Sequence, residues 1–597
     1  MNIIYNKKTF QMRSFFKNIL SSCLGVLLFF TGIFLIFLLI GLSTSAKPTI
    51  KSDSVLRLNL NTEIIEKESA VPPVEALFGE PVQMSLYEIL DILERAKSDS
   101  KISGILLESS YPNVGLAKAA LIRDAIEDFK KSGKFVYAYG SNYTQMGYYI
   151  ASTADSVFLN PNGMLDMKGM GIAQPYFKEL MDELGIGWNI YYAGQFKSAT
   201  EPFRRKEMSD QNRTQMREYI TEVYDNFLMD IAKSRQVSVE SVDQFVADFS
   251  GMNAAKTVEK GLIDELLYQD QLDKILKTKL SLDQKKKIPF VEVKDYLLAS
   301  KAKPQSGSKN KIAVVYAEGQ ILEMGEEKGV ITSQKFVETL SDIRRKKDVK
   351  AVVLRINSPG GSGFASDEIW REIELLKADS IPVVVSMSDY AASGGYYIAC
   401  NADAIVASPN TLTGSIGVFA MIPDLSKMSE EKLKIHWDSV KTHQYANAFN
   451  PFFNYSDGEH KKLQAYIDNF YDIFLTRVAE GRNMSKEKVH AVAQGRIWTG
   501  RKAKEIGLVD ELGELDTAIK LAAKKAGIKD YKTDNYPKYK TTMLDEIIKN
   551  IDLETKIKER VIGKTILDKL SPYSRMISQP ENYGKPQFMM TEHLILN

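Results

Sequence analysis

Short apolar runs rich in β-branched residues alternate along this chain with longer stretches of helical period. IAVVYAEG opens at Ile312, AVVLRIN at Ala351 and IPVVVSM at Ile381, and FASDEIWREIELLKAD fills residues 364–379 between the last two. Runs this short, separated by helical stretches, predict parallel strands joined by crossover helices, hence an α/β fold. The pattern changes at three places. Residues 19–42 are 24 consecutive uncharged, mainly apolar positions, enough for a helix to cross roughly 30 Å of hydrocarbon. Residues 301–310, KAKPQSGSKN, carry too little apolar surface to pack and read as a linker. Beyond about residue 531 lies an amphipathic candidate, Leu544, Ile547, Ile548 and Ile551, expected to pack or assemble rather than catalyse.

The charges around residues 19–42 orient that segment. Lys7, Lys8, Arg13 and Lys17 precede it, whereas only Lys47 and Lys51 open the far flank. The positive-inside rule then puts residues 1–18 in the cytoplasm and the remaining mass outside it. Ser-Thr-Ser-Ala at 43–46 would suit a cleaved signal peptide, but the apolar stretch exceeds the roughly 7–15 residues of such a core, so an uncleaved anchor is expected.

The chain also repeats itself. GYYIA occurs at 147–151 and again at 395–399, an offset of 248 residues. The same spacing pairs Asn-Pro at 160–161 with Ser-Pro at 408–409, and Gly169 with Gly417. With small drifts, Glu-Pro-Phe at 201–203 answers Asn-Pro-Phe at 450–452, and GLIDEL from Gly261 answers GLVDEL from Gly507. Collinear matches of this kind signal duplication. The expected organisation is an N-terminal repeat over 43–300, the linker at 301–310, a C-terminal repeat over 311–530 and a final segment over 531–597.

Composition adds limits. A chain of 597 residues fits two or more domains; 44% hydrophobic and 26% charged residues describe a folded globular protein, and a net charge of +2 gives no sign of nucleic-acid binding. Only Cys23 and Cys400 occur, the first in the apolar segment, which argues against an intrachain disulfide or a cysteine metal site. No metal-ligand cluster or phosphate-binding loop is evident, and no cofactor is expected.

Two glycine turns carry the candidate chemistry. Ser-Pro-Gly-Gly-Ser at 358–362 follows the run AVVLRIN, and its glycines permit positive φ and leave N–H groups uncovered where an oxyanion could sit. The run IPVVVSM leads into DYAASGGYYIA, which places Ser393 at a strand-to-helix turn with the N–H of Gly394 beside its oxygen. A helix N-cap serine fits the same position. The five histidines, His436, His443, His460, His490 and His593, all follow this turn and none lies in a recognisable catalytic string. A lysine can serve as base if burial lowers its pKa toward neutrality. Comparison of the repeats singles one out: the first repeat has Gln145 in the column of Ser393 and SSYPNVG at the glycine turn, yet keeps Lys197 in AGQFKSATEPF, where the second repeat reads HQYANAFNPF with Ala446. Each copy has lost what the other retains.

These strings, NSPGGS at Asn357, AASGGYYI at Ala391, LTGSIGV at Leu412, FKSATEPF at Phe196 and the GLIDEL/GLVDEL pair, resemble the signal peptide peptidase A family in its long, duplicated form, from the apolar segment to about residue 530. The resemblance implies two tandem α/β domains of the Clp peptidase and crotonase type behind one transmembrane helix. It further implies Ser393 as nucleophile, Lys197 as general base, Ser415 as a hydroxyl that fixes the lysine, and the N–H groups of Gly394 and Gly361, with Gly360 as substitute, as oxyanion donors. A homotetramer in a bacterial inner membrane, acting outside the cytoplasm on signal peptides and other apolar peptides, is implied as well. Two other readings remain at this point: a crotonase-type acyl-CoA enzyme, whose enolates suit the same glycine loops, and a non-catalytic membrane scaffold.

Overall fold

The computed structural model of the protein describes residues 24–32, 48–67, 83–300, 307–325 and 329–538. Residues 24–32, the described part of the apolar segment, are helical and largely exposed and belong to a compact unit of their own. Among the described residues no helix is long and apolar enough to cross a membrane. The rest of segment 19–42, linker residues 301–306, the 544–551 stretch and His593 lie outside the described residues. From residue 50 to residue 538 the described chain falls within one compact unit.

Two parallel sheets of matching topology organise that unit. The first has the order Glu265–Leu266, Ser156–Leu159, Phe135–Gly140, Ile102–Glu108, Ser54–Asn59, Phe290–Glu292. The second repeats it as Glu511–Leu512, Ala404–Ala407, Val383–Ala392, Val349–Ser358, Lys311–Glu318, Lys532–Tyr536. Central strands such as Val349–Ser358 are buried almost throughout, as expected of a parallel sheet covered on both faces. Residues 532–536 therefore complete the second sheet, pairing with its strand Lys311–Glu318. The second sheet is extended further by Leu412–Gly414, which carries an antiparallel Ile497–Thr499.

Helices start where the sequence supplies caps. Ser362 accepts from the N–H of Ala365 to open Gly363–Ala378, and Ser209 accepts from Asn212 to open Asp210–Arg235. Ser456 and Glu459 form a reciprocal capping box at the head of Asp457–Arg482, the second repeat's counterpart of Asp210–Arg235.

The two halves interlock rather than abut. Strand Gly187–Ala193 of the first pairs antiparallel with Val418–Asp424 of the second, Ala193 opposite Val418. Ala392, Leu412 and Ile497 lie in the first half's core, and Tyr191 and Ala193 in the second's. This cross-half pairing places chemistry from both repeats in one site.

Candidate active site

Ser393 stands between strand Val383–Ala392 and helix Gly394–Ala399, with φ 56° and ψ −116°. A non-glycine residue held there is strained by about 1–3 kcal/mol. The turn is locked by the Ser393 N–H, which donates to the Gly414 carbonyl at 2.9 Å. The side chain is fully buried and turned away from the capping role that the sequence left open, because its hydroxyl accepts no helix N–H.

The hydroxyl meets Lys197 instead. Lys197 Nζ lies 2.9 Å from Ser393 Oγ, and 3.0 Å from both Oγ and the carbonyl oxygen of Ser415. Lys197 is 2% exposed, and burial pulls its amine from 10.5 down to about 7. Near neutral pH a large fraction is thus the free amine, which can take a proton.

Backbone geometry explains how residues almost two hundred positions apart meet. Lys197 follows the first-half strand Gly187–Ala193 by four residues, and Ser415 precedes its partner Val418–Asp424 by three, so the antiparallel ladder delivers both to the same end. The lysine loop is then fixed on the second half: the Phe196 N–H donates to the Gln494 carbonyl at 2.9 Å. Buried Gln215 donates from Nε2 to the Phe196 carbonyl and accepts the Ile497 N–H, tying the loop to strand Ile497–Thr499. Glu201 accepts from Ser209 and from Asn212 Nδ2, holding the loop's far end. Gly495, at φ 78°, packs so tightly that a Cβ there would lie 2.6–2.7 Å from Lys197 N, Cα and Cβ. Gln215 and Gly495 escaped the sequence reading; the only local signal was a glycine next to Gln494, itself at positive φ.

The glycine turn closes the other side. The Gly360 N–H is taken by Ser358 Oγ at 3.2 Å. Among the described residues, the N–H groups of Gly361 and Gly394 donate to no protein acceptor. A Cβ on Gly394 would lie 3.1 Å from Gly361 N, and one on Gly360 2.7 Å from Gly394 N, so the two donors border one small space beside Ser393 that only glycine at 360 leaves open. Ser393, Lys197, Ser415, Gly361 and Gly394 are therefore brought together. The five histidines are not part of the cluster: Tyr191 engages His460 at 2.8 Å and Tyr471 engages His490 at 3.2 Å, while His436 and His443 sit in an exposed loop.

The matching place in the first half is closed. Gln145 donates to the Gly169 carbonyl and accepts the N–H groups of Lys168 and Gly169, filling the position that Ser393 holds in the second half.

Comparison with known proteins agrees with the duplication. Peptidase family S49 matches residues 128–283 and 375–529, and the Clp protease family matches residues 305–413. The chain is 34% identical over 509 residues to Protease 4 of Haemophilus influenzae, covering 82% of each. It is 33% identical over 558 residues to Protease 4 of Salmonella typhi, covering 91% of this chain and 89% of that one. It is also 33% identical over 451 residues to the chloroplastic serine protease SPPA of Arabidopsis thaliana, covering 74% of this chain and 66% of the relative.

Proposed function

The chain belongs to peptidase family S49 and is a serine protease of the tandem-duplicated signal peptide peptidase A form, and from that premise we propose that it cleaves peptide bonds with a Ser393–Lys197 dyad. Neutral Lys197 accepts the proton of Ser393 as Oγ attacks the substrate carbonyl. The oxyanion that forms is held by the N–H groups of Gly361 and Gly394. Lys197, now an ammonium stabilised by Ser415 Oγ and its carbonyl, protonates the leaving amine, and an acyl ester remains on Ser393. Water, deprotonated by the same amine, hydrolyses that ester and frees the second product. The observation that carries this reading is the 2.9 Å contact between Lys197 Nζ and Ser393 Oγ inside a buried pocket to which each repeat contributes one partner.

Residues 19–42 serve as a single-pass anchor in a bacterial inner membrane, with residues 1–18 in the cytoplasm and the protease outside it. An anchor beside the bilayer suits apolar peptides that emerge from the membrane, so cleaved signal peptides are the substrates, and the working form is a homotetramer. The length and apolarity of 19–42 and the basic residues before it support this placement. The test uses the full chain in detergent with a synthetic apolar signal peptide. The parent should cleave it, and Ser393→Ala and Lys197→Ala should each lose at least about 1,000-fold while staying folded. Retention of near-parent activity by Lys197→Ala would place the base elsewhere.

A further inference from the structure

Each repeat carries the same projecting arm, and the chain uses only half of each. The arms cover residues 170–203 and 418–452. In both, a first extended segment leads through a helical turn to a second extended segment, and the chain then returns to the long helix of its own half. Their local bonds coincide: the Phe177 N–H donates to the Pro202 carbonyl at 2.7 Å, and the Leu425 N–H to the Pro451 carbonyl at 2.7 Å. Trp188 packs on Phe203 at 5.3 Å between ring centres, and Trp437 on Phe452 at 4.5 Å. Gly185 and Lys434, which open the second segments, both have positive φ, 72° and 58°.

Within the chain, the second segment of the first arm, Gly187–Ala193, pairs with the first segment of the second arm, Val418–Asp424. Two segments remain, 170–176 and 436–442. No backbone group of either makes a bond to another backbone group among the described residues. Residues 170–176 nevertheless alternate between half-buried and exposed positions, the period of a strand. Val440 is fully exposed, whereas its counterpart Tyr191 is 5% exposed.

We propose that segment 436–442 of one chain pairs antiparallel with segment 170–176 of a second copy, repeating between chains the junction already formed inside each. Carried over from the internal ladder, the register sets Ile172 opposite Val440 and Pro175 opposite Trp437, as Ala420 faces Tyr191 and Pro423 faces Trp188 within the chain. The contact is heterologous, with different surfaces on the two partners, so it propagates from copy to copy and ends by closing a ring. At this junction Gln145 and Ala446 stand where Ser393 and Lys197 stand in the internal one. The junction between chains is thus a structural copy of the active one without its chemistry, and it rests on the doubled architecture and not on the proposed dyad.

Cysteines placed at facing positions read this pairing directly, since opposed residues of an antiparallel pair have Cβ atoms about 4.5–5.5 Å apart. In the full chain in detergent, with Cys23→Ser as background and Cys400 buried, the Ile172→Cys and Val440→Cys proteins are mixed, allowed to exchange and oxidised. The mixture should give a covalent dimer absent from either protein alone, and a chain with both substitutions should give a ladder of multimers. Val440→Asp should lower the mass seen by light scattering without lowering the melting temperature. Absence of the mixed dimer and ladder, or an unchanged mass for Val440→Asp, would overturn the pairing.

Discussion

Lys197 illustrates how one side chain can be unfavourable for the fold and necessary for the chemistry. Its amine is buried and lowered to about 7, against 10.5 for an ordinary lysine, with burial as the cause. Below pH 7 the native state holds a buried ammonium, so the cost of burial is fully expressed. Between 7 and 10.5 the unfolded chain binds more protons than the native one, and stability rises with pH. Lys197→Met removes the charge and keeps an unbranched side chain. It should raise the melting temperature by a few degrees at pH 6, with the gain shrinking as pH approaches 10, while activity is lost. Differential scanning calorimetry at the two pH values checks the sign; a lower melting temperature at pH 6 would contradict the buried-ammonium argument.

At the scale of elements, the site is made by a strand pair and two tight loops. Gly495 lets the loop before strand Ile497–Thr499 touch the Lys197 backbone, where a Cβ would come within 2.6–2.7 Å. Gly495→Ala should therefore push the lysine away from Ser393 and reduce kcat by about 100-fold, with KM nearly unchanged and the fold retained. Steady-state kinetics beside a thermal melt separates that outcome from simple unfolding. The α/β pattern, the duplication and the complementary loss of serine and lysine were legible because each leaves a local or repeated string. The pairing of Gly187–Ala193 with Val418–Asp424 was not, since GWNIYYA and VFAMIPD lie over two hundred residues apart and neither carries a clean two-residue alternation. Gln215 escaped for the same reason: its side chain bridges Phe196 and Ile497, a contact that only the folded chain creates. The strand at 532–536 was hidden because KTDNY is polar for a strand and takes its place by edge pairing alone.

Across the whole molecule, the halves are also joined by a buried ionic cluster. Arg355 of the second half donates from Nε to Glu66 Oε2 at 2.9 Å, and both side chains are almost wholly inaccessible. Burial pushes the Glu66 carboxyl up, but Arg355 and Lys118 outweigh it and hold the pKa below the ordinary value. Glu514, 3.8 Å from Arg355, is raised to about 8 by burial and is mostly protonated at neutral pH, so it does not replace Glu66. Glu66→Gln leaves a buried guanidinium without its partner and should destabilise the protein by about 3–5 kcal/mol at pH 7. Glu66 has a lowered pKa, so its contribution is present above the ordinary carboxylate range and is lost as pH falls through the native value. The deficit of Glu66→Gln should accordingly shrink below about pH 4. Denaturant unfolding at several pH values measures it, and equal midpoints for parent and variant at pH 7 would show that the pair does not hold the halves together.

The dyad itself is tested most directly by the pH dependence of Ser393 acylation. Labelling of the full chain by a fluorophosphonate in single-turnover experiments, with the modified residue identified by mass spectrometry, reports that step without product release. The rate at Ser393 should rise with pH through a single ionisation near 7 and level off above it, because the reactive form is the neutral Lys197 amine. In Lys197→Met the rate should drop by at least about 1,000-fold and lose that ionisation. A Lys197→Met protein that is labelled at the parent rate with the same profile would contradict the assignment of Lys197 as the base.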